Sequence, residues 1–231
     1  MRILNIKEKI IGELQTIVVE PDIIADNTST NLIIILHGYG ANMKDLVSLS
    51  ENIGDGKSIF VFPNAPFEFQ LSYQLYGYAW IFPPTMDSEE MPESMMDSMR
   101  KLMVAVEMLI EDYKIKLPNV ILGGFSQGAM MSASLGLIRP DIFKGIFMLS
   151  GMLLGESHLA SKIESDNDQR VFISHGEFDS LVPFSNLNKI VKFLESYGYS
   201  PEFHQYPMGH ELSLQSINDL GKWINSFNDD Q

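Results

Sequence analysis

The chain has 231 residues with no cysteine, and its 16 basic against 30 acidic side chains leave a net charge of −14. The lack of cysteine excludes disulfides, thiolate metal sites and a cysteine nucleophile, and the negative charge argues against a nucleic-acid partner and against stable attachment to anionic membranes. At 45% hydrophobic and 20% charged residues, this is the composition of an ordinary globular chain long enough to bury a full core.

In chain order, Lys7, Glu8, Lys9 and Glu13 interrupt any apolar stretch near the start, so no export leader is expected and the location expected is cytoplasmic. Leu14–Val19 predicts an antiparallel leading strand. Five nearly unbroken apolar runs follow: Leu32–Leu36, Ile59–Phe62, Val120–Leu122, Gly145–Leu149 and Val171–Ile173. They are too short to cross a bilayer and suit parallel strands covered on both faces. Residues 64–91 show neither period and read as a long loop. Met95, Met99, Leu102, Val106, Leu109 and Tyr113 predict a helix by their three-and-four spacing. The same spacing recurs at Leu187, Ile190, Val191, Leu194 and Tyr197, and again at Ile217, Leu220, Trp223, Ile224 and Phe227. Pro201–Tyr206 alternates and predicts an edge strand. Strands alternating with helices over residues 1–231 predict a single α/β domain, with a mostly parallel central sheet flanked by helices. Its ligand site is expected beyond the carboxyl ends of the strands.

That rule directs attention to Gly124-x-Ser126-x-Gly128, which lies between a predicted strand and a predicted helix. The pattern suits a nucleophile on a sharp strand-to-helix turn, where a flanking Cβ would clash and the helix start favours a developing oxyanion. A serine that merely caps the helix is the alternative. In such folds the acid and then the histidine follow the serine. His158 lies in a polar connection and His204 within the edge strand, whereas His210 falls in the loop after the last strand, where a general base must sit. Among Asp141, Asp166, Asp168, Glu177 and Asp179, the two that precede their strand lie at its wrong end. Asp179 follows Val171–Ile173 on the correct side, with Glu177 as its rival. Leu36-His37-Gly38-Tyr39-Gly40 supplies a glycine-rich turn after the first strong strand. The amides of Tyr39 and Gln127 are therefore the candidate oxyanion donors, with His37 as a brace. No phosphate cradle and no metal-ligand spacing are present, and the chemistry needs no cofactor.

With these residues in place, the sequence resembles the phospholipase/carboxylesterase family, which includes acyl-protein thioesterases and small bacterial carboxylesterases. The matching strings are Leu36–Gly40, Pro63-Asn64-Ala65-Pro66, Gly123–Ala129, Leu149-Ser150-Gly151, His175-Gly176 with Asp179 and Val182-Pro183, and Tyr206–His210. The resemblance implies an α/β-hydrolase without a large separate cap domain. It also implies Ser126 as nucleophile, Asp179 as acid, His210 as base, and Tyr39 and Gln127 as oxyanion donors. The chain departs from the family's pattern in having Ser180 after the acid and in the residues around Trp80.

Residues 64–91 hold seven aromatics: Phe67, Phe69, Tyr73, Tyr76, Tyr78, Trp80 and Phe82. They read either as a substrate-binding wall over Ser126, with Trp80, Phe67, Tyr78 and Phe82 as the lining, or as a satellite core. Methionines from Met86 to Met108 read mainly as a buried helix face. The function expected is hydrolysis of a small-molecule carboxylic ester or thioester through an acyl-enzyme. A lysophospholipase, a serine peptidase or amidase, and a non-catalytic binding protein are the alternatives. Oligomeric state is left open.

Overall fold

The computed structural model describes residues 5–22, 30–85, 90–163 and 168–228. An eight-stranded sheet runs in the order β1 (Asn5–Ile11), β2 (Leu14–Glu20), β4 (Ile59–Pro63), β3 (Leu32–Leu36), β7 (Val120–Phe125), β8 (Gly145–Leu149), β9 (Arg170–Gly176) and β10 (Glu202–Tyr206). β2 is antiparallel to both of its neighbours, and every pairing from β4 to β10 is parallel. The five apolar runs are β4, β3, β7, β8 and β9, the five contiguous parallel strands inside the sheet. They have no polar face because helices cover both sides.

Leu32, Ile34 and Leu36 pack with α2 (Glu93–Tyr113), α3 (Gln127–Ile138) and α5 (Ser185–Ser196), while Ile33 and Ile35 pack against α1 (Leu49–Ile53) and α6 (Leu214–Asn225). Met95 and Met99 are buried in α2, as a core face requires, whereas Met96 and Met108 remain exposed. No helix among the described residues is long and apolar enough to cross a membrane.

Two elements differ from the sequence expectation. Residues 5–11, read only as a charge-interrupted start, form the edge strand β1, whose Ile6 and Ile10 face solvent while Lys7 donates to the buried Glu20 carboxylate. Within the predicted loop 64–91, β5 (Phe67–Ser72) and β6 (Leu75–Ala79) form an antiparallel hairpin of their own. That hairpin stands off the main sheet, and most of its side chains are exposed. Strand pairing satisfies its backbone without a second apolar face, so its sequence carries no clean alternation. It arches beside the carboxyl ends of the parallel strands, where the site is expected.

Candidate active site

β7 runs into α3 through Ser126, whose backbone adopts φ 55° and ψ −117°. A side chain is held in this left-handed region only when the surroundings enforce it. Ser126 donates its amide to the Leu149 carbonyl, and the glycines around it permit close backbone approach. A Cβ at Gly124 would come within 2.6 Å of the Leu36 carbonyl oxygen, and one at Gly128 within 2.2 Å of the same atom. The turn is therefore pressed against the end of β3, with the serine hydroxyl lifted above the sheet.

The loops after β9 and β10, on the far side of β8 from β7, bring an acid and a base toward that hydroxyl. Ser126 Oγ donates to His210 Nε2 at 2.9 Å, and His210 Nδ1 donates to Asp179 Oδ2 at 2.7 Å. The other carboxylate oxygen, Oδ1, accepts the amides of Leu181 and Val182 at 2.9 and 2.8 Å. The acid loop after β9 is stitched to the histidine loop after β10, because Glu177 and Phe178 donate their amides to the Tyr206 and Met208 carbonyls. A Cβ at Gly176 would meet the Gly209 carbonyl oxygen at 2.2 Å, so glycine is required where the loops cross.

The rival groups lie elsewhere. Glu177 is exposed, Asp141 pairs with Arg139, and Asp168 faces Lys144. Asp166 lies outside the described residues. His204 bonds Glu202, and His158 sits in the short helix α4 (Glu156–Ala160). Among the described residues, no cluster of three or more His, Asp or Glu could hold a metal ion.

The loop after β3 carries Tyr39. His37 is buried beneath it, donating from Nδ1 to the Gly38 carbonyl at 2.8 Å and accepting the Ala65 amide at Nε2. The Gly38 carbonyl also accepts the Ala41 amide. A trans peptide sets its N–H opposite its C=O, so gripping the Gly38 oxygen turns the Tyr39 N–H the other way. Gln127, at the start of α3, is buried too. Its side-chain oxygen accepts the Trp80 amide at 2.7 Å and its amide nitrogen donates to the Ile81 carbonyl at 3.0 Å. The sequence marks Gln127 only through its backbone amide. The side chain is a clamp that ties the serine turn to the end of the hairpin.

Burial pushes the His37 pKa down from 6.5 to about 4. The folded state keeps this imidazole neutral while the unfolded chain protonates it, so the unfolded state binds more protons between pH 6.5 and 4. Stability from this group is complete above pH 6.5 and is lost as pH falls toward 4. Between pH 7 and 5 the loss should be about 2 kcal/mol. Urea denaturation at both pH values should show a pH dependence smaller by that amount in His37→Asn, and an unchanged dependence would rule out a buried neutral His37.

The aromatic residues divide. Trp80, for which the sequence left a groove wall and a satellite core open, is completely buried, so it is core and not wall. Its indole N–H donates to the His37 carbonyl at 3.0 Å, which places the ring under the Tyr39 loop. A buried indole needs such a partner, and the main-chain carbonyl supplies it. Tyr78 is half-buried, with its hydroxyl donating to Glu68 at 2.6 Å and its pKa raised to about 12, chiefly by that bond. Its backbone pairs with the Tyr39 loop, accepting from Gly40 and donating to Ala41. Tyr39, Phe69 and Phe82 form a stacked row, with centroids 4.8 and 5.4 Å apart. Phe82 is 41% exposed. Phe67 and Phe82 also line an open cleft of about 1050 Å³ with Pro83, Met91 and Met96.

A family model described as Phospholipase/Carboxylesterase matches residues 19–228. The chain is 30% identical over 213 residues to acyl-protein thioesterase 1 of Kluyveromyces lactis, covering 84% of this chain and 90% of that protein. It is 26% identical to acyl-protein thioesterase 1 of Mycosarcoma maydis, over 91% and 96% of the two chains. Among solved structures it is similar to a carboxylesterase from Mesorhizobium loti, with TM-score 0.78, 17% identity, and 95% and 98% of the chains covered. Esterase PE8 gives TM-score 0.75 at 23% identity, over 96% and 99%. At these identities the structural likeness speaks to the fold, which is that of an α/β-hydrolase, and no separate cap domain is evident among the described residues.

Proposed function

The chain belongs to the phospholipase/carboxylesterase family, a carboxylesterase and acyl-protein thioesterase type of α/β-hydrolase, and on that premise we propose that it cleaves carboxylic esters or thioesters through a Ser126–His210–Asp179 triad. The observation that carries this reading is the unbroken relay from Ser126 Oγ through both nitrogens of His210 to the Asp179 carboxylate, at 2.9 and 2.7 Å. Since Asp179 accepts from Nδ1–H, the lone pair on Nε2 is free to take the serine proton.

Ser126 Oγ attacks the carbonyl carbon as its proton passes to His210. The amides of Tyr39 and Gln127 receive the charge on the carbonyl oxygen. The tetrahedral intermediate then collapses, and His210 gives its proton to the departing oxygen or sulfur. Water, deprotonated by His210, attacks the acyl-enzyme and releases the acid and Ser126. A fluorophosphonate should add once per chain, with the adduct on the peptide that contains Ser126. An adduct on another residue would overturn the assignment.

The acyl chain is assigned to the row of Tyr39, Phe69 and Phe82 and to the cleft bordered by Phe67, with Tyr78 holding the hairpin to the Tyr39 loop. Each methylene buried there should contribute about 0.8 kcal/mol, or roughly fourfold in kcat/KM, until the groove is filled at medium chain length. Phe82→Ala should flatten the rise for longer p-nitrophenyl esters and leave the acetate nearly unchanged. A flat wild-type series from C2 to C12, below micelle concentrations, would make the aromatic row purely structural. The same holds for an equal loss at every length in the variant.

A further inference from the structure

A second histidine touches the acid. β9 places Val171, Ile173 and His175 on one face, and the His175 ring is fully buried there, edge-on to Phe184 at 6.1 Å. Its Nε2–H donates to the Val182 carbonyl at 2.8 Å, and the same nitrogen lies 3.5 Å from Asp179 Oδ2. Val182 in turn donates its amide to Asp179 Oδ1 at 2.8 Å. The turn that holds the carboxylate is thus closed across its base by one side chain from the strand that leads into it.

We propose that His175 is a positioning residue for the acid, holding Val182, and with it the 179–182 turn, so that Asp179 Oδ2 stays directed at His210 Nδ1. The proposal rests on the triad reading above. With Oδ1 pinned by two amides, the carboxylate cannot rotate while Val182 is fixed, and His175 is the side chain that fixes the Val182 carbonyl. Its other nitrogen, Nδ1, is buried with no hydrogen-bond partner among the described residues. Leaving a buried acceptor unpaired is costly, so this imidazole is not the arrangement that stability alone would choose. Burial also pushes the His175 pKa down, against the opposing pull of Asp179. A neutral ring here matters, because a second cation beside Oδ2 would compete with His210 for the one carboxylate.

Three substitutions separate positioning from packing. His175→Gln carries an amide N–H to about the reach of Nε2, His175→Asn stops short at the level of Nδ1, and His175→Phe keeps the ring but no donor. The Asn and Phe variants should lose about 10–100-fold in kcat on a short p-nitrophenyl ester, as supporting partners of reactive groups do. KM should stay within about twofold, since substrate binding is untouched. The low-field proton resonance of His210 Nδ1–H should broaden or vanish in both. His175→Gln should restore kcat and the resonance. If Gln loses as much as Asn, the ring is packing and the proposal falls; this comparison stands even if the Phe variant does not fold. Asp179→Asn, measured alongside, tests the premise. An inactive Asp179→Asn with fully active His175 variants refutes the positioning role alone, whereas an active Asp179→Asn refutes the triad.

Discussion

Asp179→Asn should lower kcat by about 10⁴, whereas Glu177→Gln should cost less than about tenfold. The asymmetry follows from the hydrogen bonds on each carboxylate oxygen. Oδ1 accepts two backbone amides, from Leu181 and Val182. In Asp179→Asn the amide oxygen must keep that position, because an NH₂ there would face two donors. The NH₂ is then turned toward His210 Nδ1, which accepts from it and loses its proton to Nε2. An imidazole protonated at Nε2 cannot take the Ser126 proton. The fold is preserved and the base is in the wrong tautomer. Glu177 has no such place: its side chain is exposed, and its backbone amide serves the Tyr206 carbonyl. Steady-state kinetics on both variants, normalised to fluorophosphonate-reactive sites, decide the matter. The reverse ranking would make Glu177 the acid and would leave the 2.7 Å contact of Asp179 with His210 without a role.

Burial writes itself plainly in a sequence. Leu32–Leu36 has no polar residue because both faces of β3 are covered, and for the same reason β4, β7, β8 and β9 stand out as apolar runs. The candidate site was legible for a related reason. Ser126, Asp179 and His210 each follow a strand, and in an α/β sheet those carboxyl ends converge. What was lost lies where burial is partial. The hairpin of β5 and β6 turns through Tyr73 and Gln74, and Gln74 adopts φ 60° without any Gly, Asn or Pro to mark the turn. β1 was hidden because its outward isoleucines alternate with Lys and Glu, which leaves no apolar run to mark a strand. Trp80 stayed open between groove and core because counting aromatics does not reveal which way a ring points. It sits just past the end of β6 and turns down toward His37. His175 did carry a signal. Two residues beyond Ile173 on a buried strand, it is a polar side chain on an apolar face, and that i, i+2 position marks a group with a task.

Ser126→Gly and Ser126→Ala should both lower kcat by about 10⁶, as loss of a triad serine does, yet differ in stability. Ser126 is half-buried and holds a Cβ at φ 55° and ψ −117°, a conformation that costs about 1–3 kcal/mol for any residue but glycine. Alanine keeps the Cβ and the strain. Glycine removes both, against about 0.5–1 kcal/mol of extra freedom in the unfolded chain. Both variants lose the same bond to His210, so that contribution cancels between them. Ser126→Gly should therefore be more stable than Ser126→Ala by about 1 kcal/mol. Urea denaturation at one pH, with equal m-values, measures the difference. The glycines at 124 and 128 explain why the strain persists: each lets the Leu36 carbonyl approach closer than any Cβ would permit, and the turn has no room to relax while β3 and β7 stay paired. An alanine variant as stable as the glycine variant would mean that the turn is unstrained and that its shape comes from the glycines alone. Retained activity in either variant would place the nucleophile elsewhere.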